Sequence, residues 1–168
     1  MTAKKADEPF IISRVFDAPR ERVWQAWTEV EHVKHWWGPK GFTVTHCKLD
    51  LRPGGLGHYC LRGPDGNEMW GKFAYREIVK PERLVWVNSF SDKDGGTTVH
   101  PMSPTWPREM LTTVNFEAQG AKTKLTVQWV PLDGSTELEC KTFDEGRESM
   151  KIGWTGTLEQ FIAYLAKS

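Results

Sequence analysis

Cysteine is scarce in this sequence, and the features that mark several classes of protein are missing. The 168 residues include three cysteines, Cys47, Cys60 and Cys140, and no Cys-x-x-Cys pair. An odd number of scattered cysteines favours reduced thiols over a disulfide framework. No apolar run has the length of a signal peptide or a membrane span. We therefore expect a cytoplasmic protein that does not cross a membrane.

An excess of charge of one sign is also lacking. Lysine and arginine number 22, as do aspartate and glutamate, and the basic residues form no stripe. Binding to a phosphate backbone would need such a stripe, so nucleic acid is not an expected partner. The length suits one domain, residues 9–168, which buries roughly 70% of its unfolded surface. Residues 1–8 are polar, and we expect them to be a disordered N-terminus.

Catalytic and metal-binding motifs are likewise missing. The sequence has no Gly-x-Ser-x-Gly, no His-Glu-x-x-His and no phosphate loop. His46-Cys47 and His58-x-Cys60 suggest zinc at first sight. However, neighbouring residues of a strand point to opposite faces, so His46 and Cys47 cannot readily share one ion. We assign no catalytic residue, no metal and no cofactor.

Tryptophan, by contrast, is abundant, with nine in the chain. Its side chain is large, carries an N–H that needs a partner, and is seldom fully buried. Some of the nine are expected to fill the core. The others are expected to line a concave apolar surface.

A first helix is predicted by apolar residues at spacings of three and four. These residues are Val23, Trp27, Val30, Val33 and Trp37. Asp17 is a candidate N-cap before Ala18-Pro19, and Gly38-Pro39 should end the helix. Trp36 and Trp37 cannot both lie on one stripe, so at least one should face elsewhere, such as a cavity mouth.

Period-two segments separated by turn signals predict an antiparallel sheet. The first strand is expected at residues 9–16, and the later ones at 43–51, 56–62, 69–79, 83–90, 109–117 and 123–130. A helix over 144–166 should cover the apolar face of the sheet. Its buried side is expected to carry Met150, Trp154, Leu158, Phe161, Ile162 and Leu165.

Alternation along the strands sorts side chains by face. Phe73 and Tyr75 should face inward, with Lys72 and Arg76 outward. Leu125, Val127 and Trp129 share one side, and this apolar side should face the final helix.

Two further segments bear on a binding site. Residues 91–107 contain Asp94-Gly95-Gly96 and three prolines, Pro101, Pro104 and Pro107. We expect them to form a loop that serves as a lid and is more mobile than the strands. Gly146, Gly153 and Gly156 lie in the final helix, where they either permit close packing or leave room for a ligand.

Five segments in a fixed order give the chain a family resemblance. They are Trp36-Trp37-Gly38-Pro39, Asp50-Leu51-Arg52-Pro53-Gly54-Gly55, Arg62-Gly63-Pro64-Asp65-Gly66, Pro81-Glu82-Arg83-Leu84 and Gly153-Trp154. From about Phe10 to the end, the sequence resembles the bacterial proteins similar to the C-terminal domain of the Hsp90 ATPase activator. That family belongs to the START-like superfamily, also called SRPBCC or Bet v 1-like.

The resemblance implies an α+β helix-grip fold, in which a curved antiparallel sheet of seven strands wraps around a long C-terminal helix. It also implies two shorter helical pieces after the first strand and a hydrophobic cavity between sheet and helix. One departure is the segment 28–31, where the family often has a proline that breaks the first helix. Without it, we expect a softer break here.

The leading hypothesis is a carrier or sensor of a small hydrophobic or aromatic molecule, with no preference as to oligomeric state. The apolar character of the expected cavity supports it. The residues expected to bind the ligand are Trp37, Tyr59, Trp70, Trp86, Trp129, Met150 and Trp154.

Two alternatives stay open. One is an enzyme of the cyclase, dehydratase or hydrolase type found in the superfamily, for which Glu68, His58 and Arg62 are the candidate polar residues. The other is a module that contacts the chaperone Hsp90, which rests on the family name. The eukaryotic activator also uses an N-terminal domain with an Asn- and Trp-containing motif, and this sequence has no counterpart of it. Stimulation of Hsp90 is therefore not the leading expectation.

Overall fold

The period-two segments form strands close to their expected bounds. The computed structural model describes residues 8–100 and 103–167. Residues 1–7 of the expected disordered N-terminus and Pro101 of the expected lid lie outside the described residues. The strands are β1 (Phe10–Phe16), β2 (Thr43–Leu49), β3 (Leu56–Arg62), β4 (Glu68–Val79), β5 (Arg83–Ser91), β6 (Thr97–Thr98), β7 (Met110–Gln119) and β8 (Lys122–Pro131).

These strands pair antiparallel in the order β1-β8-β7-β5-β4-β3-β2. Seven strands lie on that path, and the two-residue β6 pairs with β5 inside the segment expected to be a lid. The register shifts between Val44 and His46 and between Tyr75 and Glu77. Such bulges bend a strand and increase its twist, and so they help to curve the sheet.

The first helical segment is broken in two, as the resemblance implies. Helix α1 spans Arg20–Thr28 and α2 spans Val30–Val33, and Glu29 between them is extended, with φ −103° and ψ 128°. The break therefore forms without a proline. The N-cap is Pro19, not Asp17, because the Pro19 carbonyl accepts the first helical N–H bonds, from Arg22 and Val23.

The C-terminal helical region also consists of two helices. Helix α3 spans Glu137–Glu145, and the long helix α4 spans Arg147–Lys167. A capping box formed by Thr136 and Glu139 starts α3 earlier than the apolar pattern indicated. The side of α4 facing the sheet buries Met150, Trp154, Leu158 and Phe161.

One expectation for α4 is wrong: Ile162 is 46% exposed. It follows Phe161, which is fully buried, and adjacent helix positions lie about 100° apart around the axis. The two side chains therefore cannot both point to the centre of the same face. Leu165, the last residue expected on that face, is partly buried and packs against the core.

An aromatic cluster fills the space between sheet and helices. Trp27 lies at its centre, with six other rings at centroid distances of 4.8–6.5 Å, those of Trp36, Trp37, Trp86, Phe116, Trp154 and Phe161. Phe73 and Tyr75 are buried on the inner face, as alternation predicted. The architecture is the α+β helix-grip fold, with the curved sheet packed around α4.

Within residues 8–100 and 103–167, no helix is long and apolar enough to cross a membrane.

Candidate functional site

A cavity of about 540 Å³ lies between the inner face of the sheet, helix α4 and the segment joining β5 to β7. Its walls are mostly aromatic and aliphatic. Ser149 of α4 and Glu145 of α3, both exposed, also border it, and they place its mouth near the α3–α4 junction. A volume of this size falls in the range of small-molecule pockets, about 300–1,000 Å³.

Six of the seven residues expected to bind a ligand border this cavity, and five of the six lie on the inner side of the fold. These five are Trp37, Tyr59, Trp129, Met150 and Trp154. Trp129 of β8 and Trp154 of α4 meet edge to face, with ring centroids 5.6 Å apart. Sheet and helix thus share one aromatic wall, although the two residues are 25 positions apart in the sequence.

Trp86, the seventh of these residues, does not border the cavity. Its side chain is 3% exposed and packs against Phe73 and Tyr75, at centroid distances of 4.8 and 6.2 Å. It points to the inner side of β5, as its residue type suggested. However, it lies deeper in the core than the cavity reaches, because the rings around Trp27 fill the space in front of it.

Trp70 borders the cavity, but its indole ring lies on the opposite face of the sheet. Tyr59 pairs with Gly71, so these two share the inner face, and Trp70, next in sequence, faces outward. The ring stacks on His58 at 4.9 Å and lies 5.4 Å from His46. These three rings cover the outer surface of β2, β3 and β4.

Trp37 is positioned by the turn that follows α2. Trp36 is buried and donates its indole N–H to the carbonyl oxygen of Ala26 at 2.9 Å. Trp37 therefore faces the other way and borders the cavity, as predicted for one of the two adjacent rings. Gly38 continues the turn with φ +109°, and an added Cβ would lie 3.0 Å from the Leu61 side chain. Only glycine suits this position without strain.

Tyr59 lies across Gly71 on the cavity wall. A side chain at position 71 would clash with the Tyr59 phenol, so Gly71 makes room for the ring. Burial raises the pKa of Tyr59 to about 12, while a hydrogen bond from Trp37 partly opposes the increase. The hydroxyl is therefore protonated at neutral pH and remains a hydrogen-bond donor.

Asn88 and Thr112 form a polar pair on the inner face that sequence reasoning missed. The Thr112 hydroxyl donates to the side-chain oxygen of Asn88 at 2.5 Å, and Thr112 is fully buried. Asn88 borders the cavity. Alternation could have found it, because Asn88 comes two residues after the inward-facing Trp86 on β5.

The three glycines of the C-terminal region have different surroundings. A Cβ at Gly156 would lie 3.3 Å from the backbone nitrogen of Lys40, and one at Gly146 would lie 2.9 Å from Trp106. These two permit close packing. Around Gly153 there is nothing within 4 Å of an added Cβ, and this residue borders the cavity.

The segment between β5 and β7 forms the remaining wall. The His100 ring packs at a tilt against Phe90, with centroids 4.6 Å apart, and Thr142 of α3 donates a hydrogen bond to Thr105 at 2.9 Å. The backbone N–H of Arg108 donates to the Glu139 carboxylate at 2.8 Å. The segment is therefore fastened to α3 near its end. Its greater mobility and its role as a lid stay predictions.

The polar residues named for an enzymatic alternative lie on the outer face. Glu68 accepts hydrogen bonds from Thr45 and Arg62, at 3.3 and 3.4 Å. His58 lies within hydrogen-bond distance of the Asp92 carbonyl oxygen at 3.1 Å. None of the three borders the cavity. In the part of the chain that the structure describes, no three His, Cys, Asp or Glu side chains cluster as metal ligands would.

Solved structures with the same fold come from several bacteria. A protein from Nitrosomonas europaea is 24% identical, with a TM-score of 0.75 and 96% of each chain covered. A solution structure of a protein from Arthrobacter aurescens is 24% identical, with a TM-score of 0.75, and covers 100% of this chain and 92% of its own. The AHSA1 protein from Silicibacter pomeroyi is 19% identical, with a TM-score of 0.72, covering 94% and 97%. At these identities the likeness concerns the fold.

A search of curated proteins found no match. The sequence does match the protein family described as Activator of Hsp90 ATPase homolog 1-like protein, over residues 17–166. This match covers most of the chain and agrees with the helix-grip architecture. The chain therefore belongs to the Activator of Hsp90 ATPase homolog 1-like family.

Proposed function

We propose that this protein binds a small hydrophobic or aromatic molecule in the cavity between sheet and α4, as a carrier or sensor. The observation that supports the proposal most strongly is the unfilled volume of about 540 Å³ among aromatic side chains. Close packing is the normal state of a protein interior. Here the walls do not pack against one another, and the space between them opens near the α3–α4 junction, as a small-molecule site requires.

Gly153 gives the proposal a second support. Glycine inside a helix costs about 1 kcal/mol relative to alanine, and close packing does not explain it here because nothing lies within 4 Å of an added Cβ. A ligand that occupies the space above residue 153 would explain it. Apolar burial of that ligand would then supply the binding free energy, at roughly 25 cal/mol per Å².

The first test is native mass spectrometry of protein purified from its own host. We expect a retained molecule of constant mass, released on denaturation. The second test is saturable quenching of tryptophan fluorescence by a panel of aromatic compounds. Trp37, Trp129 and Trp154 border the cavity and would report an occupant directly.

A matched pair of variants separates the cavity from other sites. Gly153→Leu places a side chain in the open space and should abolish the saturable response. Lys151→Leu adds the same side chain at an exposed position of α4 and should leave the response unchanged. A response that is equal in both variants would contradict the proposal.

A further inference from the structure

The polar groups around the cavity restrict the chemistry of its occupant. This inference rests on the proposed function and adds the ligand class. We propose that the ligand is a neutral aromatic molecule with a hydrogen-bond acceptor, such as a ketone or amide carbonyl, and that the Asn88 side-chain amide donates to that acceptor.

The orientation of the Asn88 amide follows from Thr112. The Thr112 hydroxyl is a donor, and among the described residues its hydrogen bond goes to the Asn88 side-chain oxygen. Thr112 is fully buried, so turning the amide over would leave that hydroxyl proton without an acceptor, at a cost in free energy. With the oxygen held by Thr112, the amide presents its NH₂ group, which has two donors and no acceptor.

The inner face of the sheet presents a second donor at the cavity. The other polar side chains around it, such as His100, Thr142 and Thr157, come mainly from the helices and from the segment between β5 and β7. Tyr59 borders the cavity with a hydroxyl that stays protonated at neutral pH, since burial raises its pKa to about 12. The Asn88 amide and the Tyr59 hydroxyl lie on β5 and β3, two strands apart in the sheet. Both favour a ligand that accepts hydrogen bonds over one that donates them.

Charge argues for a neutral acceptor. The described residues around the cavity include no lysine and no arginine, and the acidic one, Glu145, is exposed at the mouth. A carboxylate ligand would lose its hydration without gaining a cationic partner, which is costly. A carbonyl oxygen loses far less hydration and regains a hydrogen bond from Asn88.

The experiment compares two probes of the same shape. 2-Acetylnaphthalene carries a carbonyl where 2-isopropenylnaphthalene carries a C=CH₂ group. Their affinities are measured by tryptophan quenching for the wild type and for the double variant Asn88→Leu/Thr112→Val. Replacing both partners by apolar side chains of similar shape leaves no buried hydroxyl unpaired, so the variant should fold. A thermal melt checks this.

We expect the preference for the carbonyl probe over the hydrocarbon probe to fall about tenfold in the double variant, the value of one hydrogen bond. An unchanged preference, with both probes bound, overturns the inference and leaves the proposed function standing. Failure of both probes to bind the wild type overturns the proposed function and the inference with it. 2-Naphthoate should bind the wild type more weakly than 2-acetylnaphthalene, and the reverse order contradicts a neutral ligand.

If the double variant does not fold, the wild type decides the question by infrared spectroscopy. The C=O stretch of bound 2-acetylnaphthalene should lie below its frequency in hexane, since a hydrogen bond weakens the C=O bond. A bound probe with the hexane frequency overturns the inference.

Discussion

The side-chain amide of Gln160 donates a hydrogen bond to the carbonyl oxygen of Gly38 at 2.6 Å, and the carbonyl of Pro39 lies 3.2 Å from the same nitrogen. Helix α4 therefore holds the turn that carries Trp37. Gly156, one turn earlier on α4, lies against Lys40 just beyond that turn. The cavity edge at Trp37 depends on these contacts from a helix more than a hundred residues later.

Loss of the Gln160 contact should loosen this turn. Gln160→Met keeps the length and apolar stem of the side chain and removes the donor. We expect the free energy of unfolding to fall by about 1 kcal/mol, together with weaker quenching by a cavity ligand. Glu159→Met, at the exposed neighbouring position, is the control for urea unfolding. Equal stability of the two variants would mean that the turn holds itself in place.

The glycines of α4 should respond oppositely to alanine. Gly153→Ala enters open space, so the gain in helix propensity should raise the free energy of unfolding by about 1 kcal/mol. Gly156→Ala brings a Cβ to 3.3 Å from the Lys40 backbone nitrogen, which should cancel that gain or reverse it. Thermal unfolding of both variants measures the difference. Equal stabilisation at the two positions would show that the backbone at residues 39–40 shifts to accommodate the added Cβ at little cost in free energy.

Substitutions at Trp86 and at Trp129 should have different effects on the free energy of unfolding and on ligand affinity. Trp86→Phe leaves a void in a buried cluster and should cost about 1–3 kcal/mol while ligand affinity stays close to that of the wild type. Trp129→Phe, at a half-buried position on the cavity wall, should cost less stability and weaken binding. Urea unfolding and fluorescence titration provide the two readouts. A binding loss confined to Trp86→Phe would place the ligand in the core cluster.

His100 should make the segment between β5 and β7 sensitive to acid. Burial lowers the pKa of His100 below 6.5, so the unfolded or opened chain takes up the proton more readily than the folded one. The contribution of neutral His100 to the free energy of unfolding is therefore complete above the unfolded pKa of about 6.5. It declines as the pH falls below that value. We expect His100→Phe, which keeps a ring against Phe90, to make the free energy of unfolding less dependent on pH between 7.5 and 5.

The pH titration needs a second histidine variant as its control. Carboxylates also titrate toward pH 5, and they are the same in both variants. His46→Phe serves this purpose, since His46 lies on the outer face beside Trp70. The difference between the two variants isolates the His100 contribution. If both variants show the same pH dependence, the acid response does not come from His100.

The pattern of the sequence was sufficient for the elements and for many of the facing directions. Alternation placed Phe73 and Tyr75 inside, and the same rule applied three residues earlier puts Trp70 outside. Residue type alone suggested the cavity for Trp70, and the strand period gave the better answer. Asn88 follows from the same period once Trp86 is known to face inward, but Val85 and Val87 are apolar too, so the sequence of β5 does not by itself show which side is the inner one.

The Trp36-Trp37 pair shows what a local sequence pattern leaves undetermined. Their adjacency required that the two rings diverge, and this was correct. Which ring became core depended on Ala26, whose carbonyl accepts the Trp36 N–H, and on the rings around Trp27. These partners come from another helix and from strands far away in the chain.

The sequence by itself determined what short-range physics controls: the period-two strands, the glycine turns and the apolar face of α4. Only the tertiary structure decided that Trp86 is core while Trp129 lines a cavity, that Gly153 opens onto space while Gly156 packs against Lys40, and that Asn88 is oriented by Thr112. Each of these depends on the distance between elements that curvature and packing bring together. A local pattern records the direction of a side chain, whereas the volume left in front of it is a property of the whole fold.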